Sequence, residues 1–447
     1  MKKGVLVFAA CLSMAAMPVF AQMDNLTNMS AEWMRTGNRN AALDAADIVV
    51  YNPAGLTKIK DGLHINLSNQ TLFRQPQHTF DLGFGKGEQT FKQDKTDPIL
   101  PNLYLAYKKN NWAIHGGIYI PGGGATADYP DGSITTELIS LQLLQSYAAQ
   151  GADYTMAANQ SLKASSYYIA FALGGSYAFN DAVSVSLGAR YLSCKNTTKA
   201  GMTLTGSQVL PDQQFAVKTE DNADGFGGVV GLNIQPFEKL NIGVKYETSV
   251  ALNFETDVKN DDLQMFTDGA KNHRDLPASF NIGFAYNMSK KLQAEFDYGY
   301  YFQQAADWGK TKDRNIFPVD HSLSEMAGDC YTAGLALIYH PVEKLTLSTG
   351  AIFTKFLYED KEGYYTSLGS FEVLKNDNWN FSLGGAYRLF KGVNLNLAFG
   401  YCVWKDYNTK SLQIEMLKFA TQNPDTDPII KTSDNATIIA VGFDFSL

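Results

Sequence analysis

The side chains that could perform catalysis or bind a metal do not occur at the spacings those functions need. The six histidines are His64, His78, His115, His273, His321 and His340. None belongs to a His-Glu-x-x-His zinc motif, and neither a Gly-x-Ser-x-Gly nucleophile elbow nor a lysine-bearing phosphate loop is present. Acidic residues between 257 and 262 could bind a cation, but a solvated loop is the simpler interpretation. We predict a protein that is not an enzyme, with no catalytic residue, metal site or cofactor.

Cationic side chains on polar faces could instead bind the carboxylate of a ligand. Three candidates lie on the polar parity of alternating segments and are predicted to point into an interior: Arg190, Lys245 and Arg388. The same parity carries the acidic residues Glu247, Glu295 and Asp297. Because buried charges are generally paired, mutual pairing inside the protein is the competing interpretation. The sequence does not decide between the two.

The overall composition excludes a nucleic-acid-binding surface of the usual basic kind. The formal net charge is −8, whereas such a surface needs clustered positive charge. Aromatic residues make up 13% of the chain, yet the mean hydropathy is slightly polar at −0.19. This combination is typical of membrane barrels, in which aromatic girdles and a lipid-facing band alternate with a polar interior. No linker divides the chain, so one large closed unit is expected.

The N-terminal segment, residues 1–21, has the three parts of a secretory signal peptide. A lysine pair at 2–3 precedes an apolar stretch over 4–17, and cleavage is expected near Ala21. No later run approaches the roughly 20 apolar residues of a membrane-spanning helix. The remaining cysteines are too few for a disulfide framework: Cys194, Cys330 and Cys402. We expect an exported protein without a helical anchor.

Alternating hydrophobicity predicts β-strands with one apolar face. Over 292–302 one parity reads Leu, Ala, Phe, Tyr, Tyr, Phe, and the other begins Gln, Glu, Asp, Gly. A period of two residues indicates a strand. Similar segments begin near residues 183, 240, 379 and 393. Alternation alone does not separate a soluble sandwich from a membrane barrel, because both have one apolar face.

The spacing of these segments favours the barrel. About fourteen strands are predicted, at 62–74, 100–108, 111–120, 164–179, 182–199, 213–235, 239–256, 278–287, 291–306, 328–340, 344–358, 376–389, 392–407 and 433–447. Their connections alternate between tight turns and long loops, the latter at 75–99, 121–163, 257–277, 307–327, 359–375 and 408–432. Short periplasmic turns and long outer loops produce this rhythm. The predicted fold class is all-β, a transmembrane antiparallel β-barrel over 62–447.

Three short motifs stand at defined places relative to these strands. Tyr51-Asn52-Pro53-Ala54-Gly55-Leu56 comes shortly before the first strand. Ile120-Pro121-Gly122-Gly123-Gly124, leading to Tyr129, ends the third, and Arg274-Asp275-Leu276-Pro277-Ala278-Ser279 enters the eighth. In this order they resemble the signatures of the long-chain fatty-acid outer-membrane transporter family, the FadL and TodX type. The resemblance extends over nearly the whole mature chain.

The resemblance implies a barrel plugged by an N-terminal hatch, residues 22–61, that shifts when a ligand binds. Asn52, Pro53 and Ala54 would carry this function, and a turn stiffened by proline is the local alternative. The resemblance also implies lateral release through a gap in the wall beside a kinked third strand. Gly116 and Gly117 are the candidates for the kink, because missing side chains permit a bend. Strand glycines are also common in barrels, so a purely structural role is the alternative.

The loop 121–163 contains a stretch that could capture ligand outside the membrane. A helix is predicted from Ser133 to Ala149, with Ser133 as its cap. One stripe of this helix is apolar and comprises Ile134, Leu138, Leu141 and Leu144. The alternative is that the helix packs only against its own loop.

The function predicted from the sequence is passive uptake of hydrophobic small molecules, such as long-chain fatty acids, across the outer membrane of a Gram-negative bacterium. A water-filled pore would keep an apolar molecule hydrated against the hydrophobic effect, which favours a lined and plugged channel. The expected partners are the ligand and the surrounding lipid and lipopolysaccharide, with no nucleic acid, and a monomer is expected. Two alternatives stay open, a general porin for polar solutes and an outer-membrane lipid hydrolase.

Overall fold

The computed structural model describes residues 30–80, 87–93, 95–310, 321–368, 372, 375–410 and 429–447. The predicted signal peptide and the start of the predicted hatch segment, 22–29, lie outside these ranges. None of the helices within them is both long and apolar enough to cross a membrane.

Most of the described chain is β-strand, and one sheet closes on itself. In chain order the strands are β1 (Gly62–Arg74), β2 (Gln77–Phe80), β3 (Gln89–Lys92), β4 (Lys95–Lys109), β5 (Trp112–Tyr129), β6 (Met156–Ala178), β7 (Val183–Thr205), β8 (Gln213–Phe237), β9 (Leu240–Glu247), β10 (Asn253–Asp261), β11 (Lys271–His273), β12 (Ala278–Asn287), β13 (Leu292–Phe302), β14 (Asp329–Val342), β15 (Leu345–Leu357), β16 (Asn378–Phe390), β17 (Val393–Trp404), β18 (Tyr407–Lys410), β19 (Ile429–Ser433) and β20 (Asn435–Ser446). A closed antiparallel barrel of 14 strands has the order β1-β4-β5-β6-β7-β8-β9-β12-β13-β14-β15-β16-β17-β20, with β20 paired to β1. This confirms the predicted all-β barrel.

The burial pattern shows that the outer face of the barrel carries the apolar side chains. On the outside, Leu187 is 70% exposed and Phe226 is 72% exposed. On the inside, Asn66 and Asn233 are both 0% exposed. A soluble sandwich would bury the apolar parity, so the exposed apolar band is a surface suited to lipid hydrocarbon. This observation decides the question that alternation alone left open.

Helices lie within the barrel and in the long loops. They are α1 (Ala31–Thr36), α2 (Ile48–Tyr51), α3 (Ile134–Ala149), α4 (Leu323–Ala327) and α5 (Lys361–Leu368), and a 3₁₀ turn spans Pro53–Lys58. The predicted helix after Ser133 is confirmed as α3. The Ser133 hydroxyl accepts a hydrogen bond from the Thr136 amide at 3.3 Å, and the Thr136 hydroxyl accepts one from the Ser133 amide at 2.8 Å. This reciprocal cap fixes the start of the helix.

Several strands are longer than a membrane requires. β6 and β7 have 23 residues each and β8 has 25, whereas about 9 to 11 residues span the hydrocarbon. Their outer halves therefore project beyond it, and α3 packs against β6 and β7. A separate sheet with the order β18-β19-β2-β3 continues from the outer ends of β1 and β20. The small sheet and the start of β6 fall mainly in loops that the sequence predicts to be long, whereas the outer halves of β7 and β8 fall mainly in predicted strands.

The predicted strand 239–256 is divided into β9 and β10. The intervening residues, 248–252, turn inward, and Val250 forms an isolated bridge with Leu276 before β12. Val250 is 0% exposed, and a Cβ added at Gly225 of β8 would lie 2.6 Å from its side chain. The break occurs because this apolar side chain packs toward the lumen against a wall that has glycine in place of a side chain.

Candidate functional site

The segment before the first barrel strand is folded inside the barrel. α1 is preceded by its cap Ser30, whose hydroxyl accepts a hydrogen bond from the Trp33 amide at 2.9 Å, and is followed by Gly37, with φ of 70°. Serine and left-handed glycine are strong start and stop signals, which explains so short a helix. α1 packs against β14 to β17 and β20, whereas the 3₁₀ turn packs against β6 to β8. The segment therefore crosses the lumen from wall to wall. We call residues 30–59 the plug.

The Asn52-Pro53-Ala54 motif is bound directly to the wall. The Asn52 side-chain amide donates to a β8 carbonyl at 3.1 Å. The Ser176 hydroxyl donates to the Pro53 carbonyl at 2.7 Å, and the Ser184 hydroxyl donates to the Ala54 carbonyl at 2.9 Å. Pro53 occupies the first position of the 3₁₀ turn, where an amide hydrogen would have no partner in the turn. The motif thus fastens the plug to three adjacent strands.

A buried ion pair fixes the middle of the plug. Arg39 donates to both Asp47 oxygens at 3.0 and 2.5 Å, and the two side chains are 1% and 0% exposed. Arg39 also pairs with Asp44 at 2.7 Å. The backbone amides of Arg39 and Asn40 donate to Asp297 of β13 at 2.7 and 2.9 Å. Asp297 therefore fastens the plug to β13. Parity predicted that this acid lies in the interior, but not that it binds the plug.

A belt of glycines on the inner wall lets the plug approach closely. A Cβ added at any of them would come within 3 Å of a plug atom, and they are Gly231, Gly243, Gly283, Gly334, Gly350, Gly384, Gly400 and Gly442. At Gly350 the added atom would overlap the Thr36 carbonyl oxygen, and at Gly384 it would lie 2.7 Å from Arg35 Cγ. The wall is shaped around the plug backbone, so the lumen is filled at this level.

Two of the three predicted cations meet inside the lumen. Lys245 and Arg190 flank Glu247 at 3.2 and 3.1 Å. Lys245 also donates to the Val50 carbonyl of α2 at 2.7 Å. Both cations are buried and share one internal acid, which is the pairing that the sequence left as an alternative. Contact with a ligand carboxylate stays a prediction for these residues.

The third predicted cation, Arg388, lies elsewhere. It pairs with Glu343 at 2.8 Å, and its side chain is 42% exposed. Glu343 belongs to the β14–β15 turn at the short-turn end, which is periplasmic in outer-membrane barrels. Arg388 still pairs in register with Asn394, and the shift comes only after it, so Arg388 keeps the inward parity of β16 at the rim of the lumen. It is separate from the other two cations, and its contact with a ligand carboxylate stays a prediction.

A cavity of about 170 Å³ lies between the plug and the outer loops. Trp33 and Tyr51 of the plug line one end, and Arg74 and Lys375 also line it. Aromatic and aliphatic wall residues line part of it, including Tyr301, Phe356, Trp404, Leu72, Ile352 and Ile438. Polar side chains line the rest, including Gln70, Asn281, Asp297, Thr332, Thr354, Asn378 and Asn380. Arg74 pairs with Asp434 at 3.1 Å. Sequence reasoning missed Arg74, although it continues the inward parity of β1 from His64 onward.

The wall beside the cavity has an interval without backbone pairing. The β4–β5 ladder stops at Leu103↔Ile118, although both strands continue outward. Prolines occur on both sides of this interval, Pro101 on β4 and Pro121 on β5, and neither has an amide hydrogen to donate. We call residues 98–102 of β4 and 119–125 of β5 the β4–β5 interval.

Strand β5 is irregular further along than the sequence suggested. Its register with β6 shifts between Tyr119 and Gly122 and again between Gly123 and Ala125. The candidate kink residues at 116–117 pair without a shift on both sides. A Cβ at position 117 would lie 2.7 Å from the ring of Tyr104. The glycine there makes room for an aromatic side chain, and the irregularity follows the proline and glycine motif instead.

The apolar stripe predicted for α3 packs against protein. Ile134, Leu138 and Leu141 are 0%, 5% and 7% exposed, and Leu144 is half-buried. The first two contact Phe80 and other apolar residues of the small outer sheet, while the other side of α3 packs on β7 and β8. The helix therefore packs against other outer loops and strands, and not only against its own loop as the alternative supposed. The capture role stays a prediction.

Polar contacts hold α3 and the small outer sheet in place. The amide and the hydroxyl of Thr135 donate to Glu372 at 2.9 and 2.7 Å. In the sheet, His78 contacts the Tyr129 hydroxyl at 3.2 Å and the Thr432 hydroxyl at 3.3 Å. Burial lowers the pKa of His78, against the opposing effect of nearby carboxylates. The outer loops are therefore tied together by groups outside the membrane-spanning strands.

Reactive groups do not converge in the described parts of the chain. Within them, no group of three or more His, Cys, Asp or Glu side chains could hold a metal ion. Cys402 lines the cavity and is a free thiol. The site therefore offers apolar contacts, amides and a few charges, which suit binding and passage.

Comparison with known sequences points to one group of proteins. The sequence profile described as outer membrane protein transport protein (OMPP1/FadL/TodX) matches residues 145–446. An outer membrane protein of Neisseria meningitidis serogroup B is 33% identical over 135 residues, 28% of each chain. The 47 kDa outer membrane protein of Pasteurella multocida is 22% identical over 233 residues, 48% of this chain and 52% of that one. The matches thus span about a quarter and about half of these relatives.

Solved structures share the fold at low sequence identity. A FadL homologue of Pseudomonas aeruginosa superimposes with a TM-score of 0.66 and 11% identity, over 94% of this chain and 98% of that one. The toluene transporter TodX of Pseudomonas putida superimposes with a TM-score of 0.61 and 14% identity, over 91% of this chain and 96% of that one. Both comparisons support the same barrel architecture.

Proposed function

Since this chain belongs to the outer membrane protein transport family (OMPP1/FadL/TodX), we propose that it is an outer-membrane channel for passive uptake of hydrophobic small molecules. The observation that carries the proposal is the position of the cavity. The plug lines one end of it, and Leu100 of β4 and Gly123 of β5 line it from the two sides of the β4–β5 interval. A monomer in contact with membrane lipid and lipopolysaccharide suffices for this function.

The size and lining of the cavity indicate the class of cargo. A volume of about 170 Å³ is close to that of a cavity that holds one benzene molecule. One aromatic ring or a short stretch of alkyl chain would therefore fill it, in contact with aromatic and aliphatic walls. A long-chain fatty acid would extend beyond the cavity, and its carboxylate would have to compete with Asp434 for Arg74. We propose small aromatic compounds and fatty acids as cargo, with the former fitting the observed cavity better.

Lateral release is the proposed exit. Apolar cargo that leaves through the β4–β5 interval enters the hydrocarbon of the membrane directly and never crosses bulk water, which the hydrophobic effect favours. Beside the cavity the wall can part with little loss of backbone hydrogen bonding, because the ladder ends at Leu103↔Ile118 and the next contacts across the wall, from Thr126 to Asp97 and Gln93, lie further out. Capture would occur at the outer loops around α3. The plug, fastened by Asn52, Pro53 and Ala54, would act as the hatch that closes the periplasmic side.

The alternatives from the sequence have weaker support. An open porin for polar solutes conflicts with the belt of wall glycines, which fits the plug so closely that no open lumen exists at that level. A lipid hydrolase would need a nucleophile with an adjacent base, and no observation in the described parts of the chain favours one.

Uptake by cells that lack their own transporter tests the proposal. Radiolabelled toluene and a long-chain fatty acid are each compared in cells with this barrel, with an empty vector, and with a variant lacking residues 52–54. Uptake above the vector, with no gain in permeability to polar sugars, is the expected result. Deletion of 52–54 should change hatch closure and make cells permeable to sugars. Vector-level uptake of both compounds, despite surface assembly, would contradict the proposal.

A further inference from the structure

The cavity is mainly polar on one side and mainly aliphatic on another. Polar side chains predominate on the side formed by β12 to β16, and they are Asn281, Asp297, Thr332, Thr354, Asn378 and Asn380. Aliphatic side chains from β1, β4 and β20 line the side toward the β4–β5 interval, and they are Leu72, Leu100, Ala436 and Ile438. The polar residues that β1 adds, Gln70 and Arg74, already bind the Ser30 carbonyl at 3.3 Å and Asp434 at 3.1 Å. A ligand therefore meets most of the polar wall groups on the β12–β16 side.

Four of these polar residues form one row across the wall. Asn281 of β12 pairs with Gly299 of β13, and Gly299 pairs with Thr332 of β14. Thr332 pairs in turn with Thr354 of β15, and Thr354 pairs with Asn378 of β16. Cross-strand neighbours on one face have Cβ atoms about 5 Å apart, so adjacent members can contact the same small group. We call these five residues the polar row.

Gly299 leaves a place in the polar row that is bordered by oxygen atoms. A Cβ added there would lie 2.8 Å from Asn281 Oδ1 and 2.8 Å from Thr332 Oγ1. The next atom is Cε2 of the Tyr301 ring, at 3.6 Å. The two oxygens therefore converge over the glycine from its two neighbouring strands. At the belt glycines a plug atom comes within 3 Å of the added Cβ, whereas the nearest atoms at Gly299 all belong to the wall.

The two converging oxygens have complementary hydrogen-bonding capacity. The side-chain nitrogen of Asn281 donates to the Ser279 hydroxyl at 3.3 Å, which leaves Asn281 Oδ1 as an acceptor. The Thr332 hydroxyl has no hydrogen-bond partner in the described part of the chain, and a hydroxyl can both donate and accept. One hydroxyl group of a ligand can therefore donate to Asn281 and accept from Thr332.

The space beside the polar row accepts one aromatic ring. The volume of about 170 Å³ is close to that of a cavity that holds benzene. Tyr301 and Phe356 line the cavity at the next inward positions after Gly299 and Thr354. Aromatic side chains pack favourably on another ring, either offset or edge to face. A ring held there has its polar edge at the row and its apolar edge toward Leu100 and the β4–β5 interval.

We propose that the cargo of this cavity is a phenol, a single aromatic ring that carries a hydroxyl group. Its hydroxyl donates to Asn281 Oδ1 and accepts from the Thr332 hydroxyl. The proposal rests on the proposed channel function and narrows its substrate class. A hydrocarbon such as toluene fills the same space but leaves these groups to water, and the interaction that distinguishes the two cargoes is the hydrogen bonding at the polar row.

The other groups on this side favour a neutral donor over an anion. The Asp297 carboxylate lines the same side, and Asn380 Oδ1 is a buried acceptor without a partner. Acceptors of this kind repel a carboxylate and attract a hydroxyl hydrogen. A phenol is neutral at pH 7, because a phenolic hydroxyl such as that of tyrosine ionises only near about pH 10.

Binding of p-cresol and of toluene to the purified full chain tests the proposal, because the two ligands differ by one hydroxyl. Wild type is compared by calorimetric titration with Thr332→Val, which removes a hydroxyl and keeps a branched side chain. The matched control is Thr437→Val, on the outward parity of β20. Loss of one neutral hydrogen bond predicts that Thr332→Val weakens p-cresol binding roughly 3- to 10-fold. Toluene binding and the control protein should be unchanged.

A second variant, Asn281→Leu, removes the acceptor and should give the same selective loss. Because every titration uses the same detergent, partition of each ligand into micelles is equal for all variants. Unchanged p-cresol affinity in both variants overturns the proposal. An equal loss of p-cresol and toluene affinity shows that these residues only shape the cavity, and it also overturns the proposal.

The failure of this proposal differs from the failure of the channel itself. Wild type that binds toluene but not p-cresol overturns the phenol assignment and leaves the channel function intact. Wild type that binds neither ligand, in cells that also take up neither toluene nor fatty acid above the vector level, contradicts both. In cells, p-cresol should inhibit the uptake of radiolabelled toluene more strongly through wild type than through Thr332→Val, and equal inhibition would contradict the role of Thr332.

Discussion

Replacement of Arg39 by glutamine should loosen the plug from within, because Arg39 and its partners Asp44 and Asp47 all belong to the plug. The change leaves Asp47 as a buried carboxylate, 0% exposed, without its bidentate partner. Breaking a buried pair by removal of one member costs about 3 to 5 kcal/mol. Asp47 keeps a hydrogen bond from the Ser30 hydroxyl at 2.8 Å, so the lower end of this range applies. At about 1.4 kcal/mol for each factor of ten, the population with a displaced plug should rise roughly 100-fold.

Single-channel recording in planar bilayers measures that population as open probability. The matched control is Arg388→Gln, whose ion pair with Glu343 is exposed on both sides and is worth about 0 to 1 kcal/mol. The control should change open probability by less than about fivefold. If Arg39→Gln remains a folded, heat-modifiable barrel with an open probability within fivefold of wild type, the Arg39 ion pair does not keep the plug in its closed position.

Three further perturbations test separate parts of the structure. Gly350→Ala should displace the plug and raise conductance, because its Cβ overlaps the Thr36 carbonyl, whereas Gly175→Ala should not, since its Cβ meets nothing nearer than 3.7 Å; equal conductance would count against the glycine belt. Ser133→Ala removes the cap of α3, at a cost of about 1 kcal/mol, and should speed hydrogen exchange over 134–149 roughly fivefold; unchanged exchange would refute the capping role. Burial lowers the pKa of His78 from 6.5, so the folded outer sheet binds fewer protons than the opened one, and its stability is lost as pH falls below that value. The hydrogen-exchange protection factors of the backbone amides at 77–80, corrected for intrinsic exchange rates, should be lower at pH 5.5 than at pH 7.5. The substitution His78→Gln should abolish that difference.

The barrel could be predicted from sequence because its strands are encoded locally. The period of two over 292–302 becomes β13, and the tight turns separate strands whose register follows from the apolar parity. Alternation did not show whether the apolar face meets lipid or a protein core, because a soluble sandwich and a membrane barrel have the same alternation. The exposure of Leu187 and the burial of Asn66 settle that question only in three dimensions.

The site was less predictable because its contacts join distant parts of the chain. Parity places Arg190 and Lys245 inside, but it does not reveal that Glu247 lies between them. The packing of Arg35 against Gly384 carries no signal in the sequence, since Arg35 lies in a short helix and its neighbours on the wall are more than 300 positions away. The irregularity of β5 followed Pro121 and not the earlier glycines, since proline removes a hydrogen bond whereas glycine only permits a bend.

The most direct test of the central claim, that cargo leaves the cavity through the β4–β5 interval, is uptake through a barrel in which β5 is regular. Deletion of Pro121 and Gly124 removes the extra residue from each register shift and preserves the parity of the residues that follow. Toluene uptake by cells should fall to the empty-vector level, while the purified, folded variant still binds toluene. Undiminished uptake through the folded double deletion would contradict the lateral route.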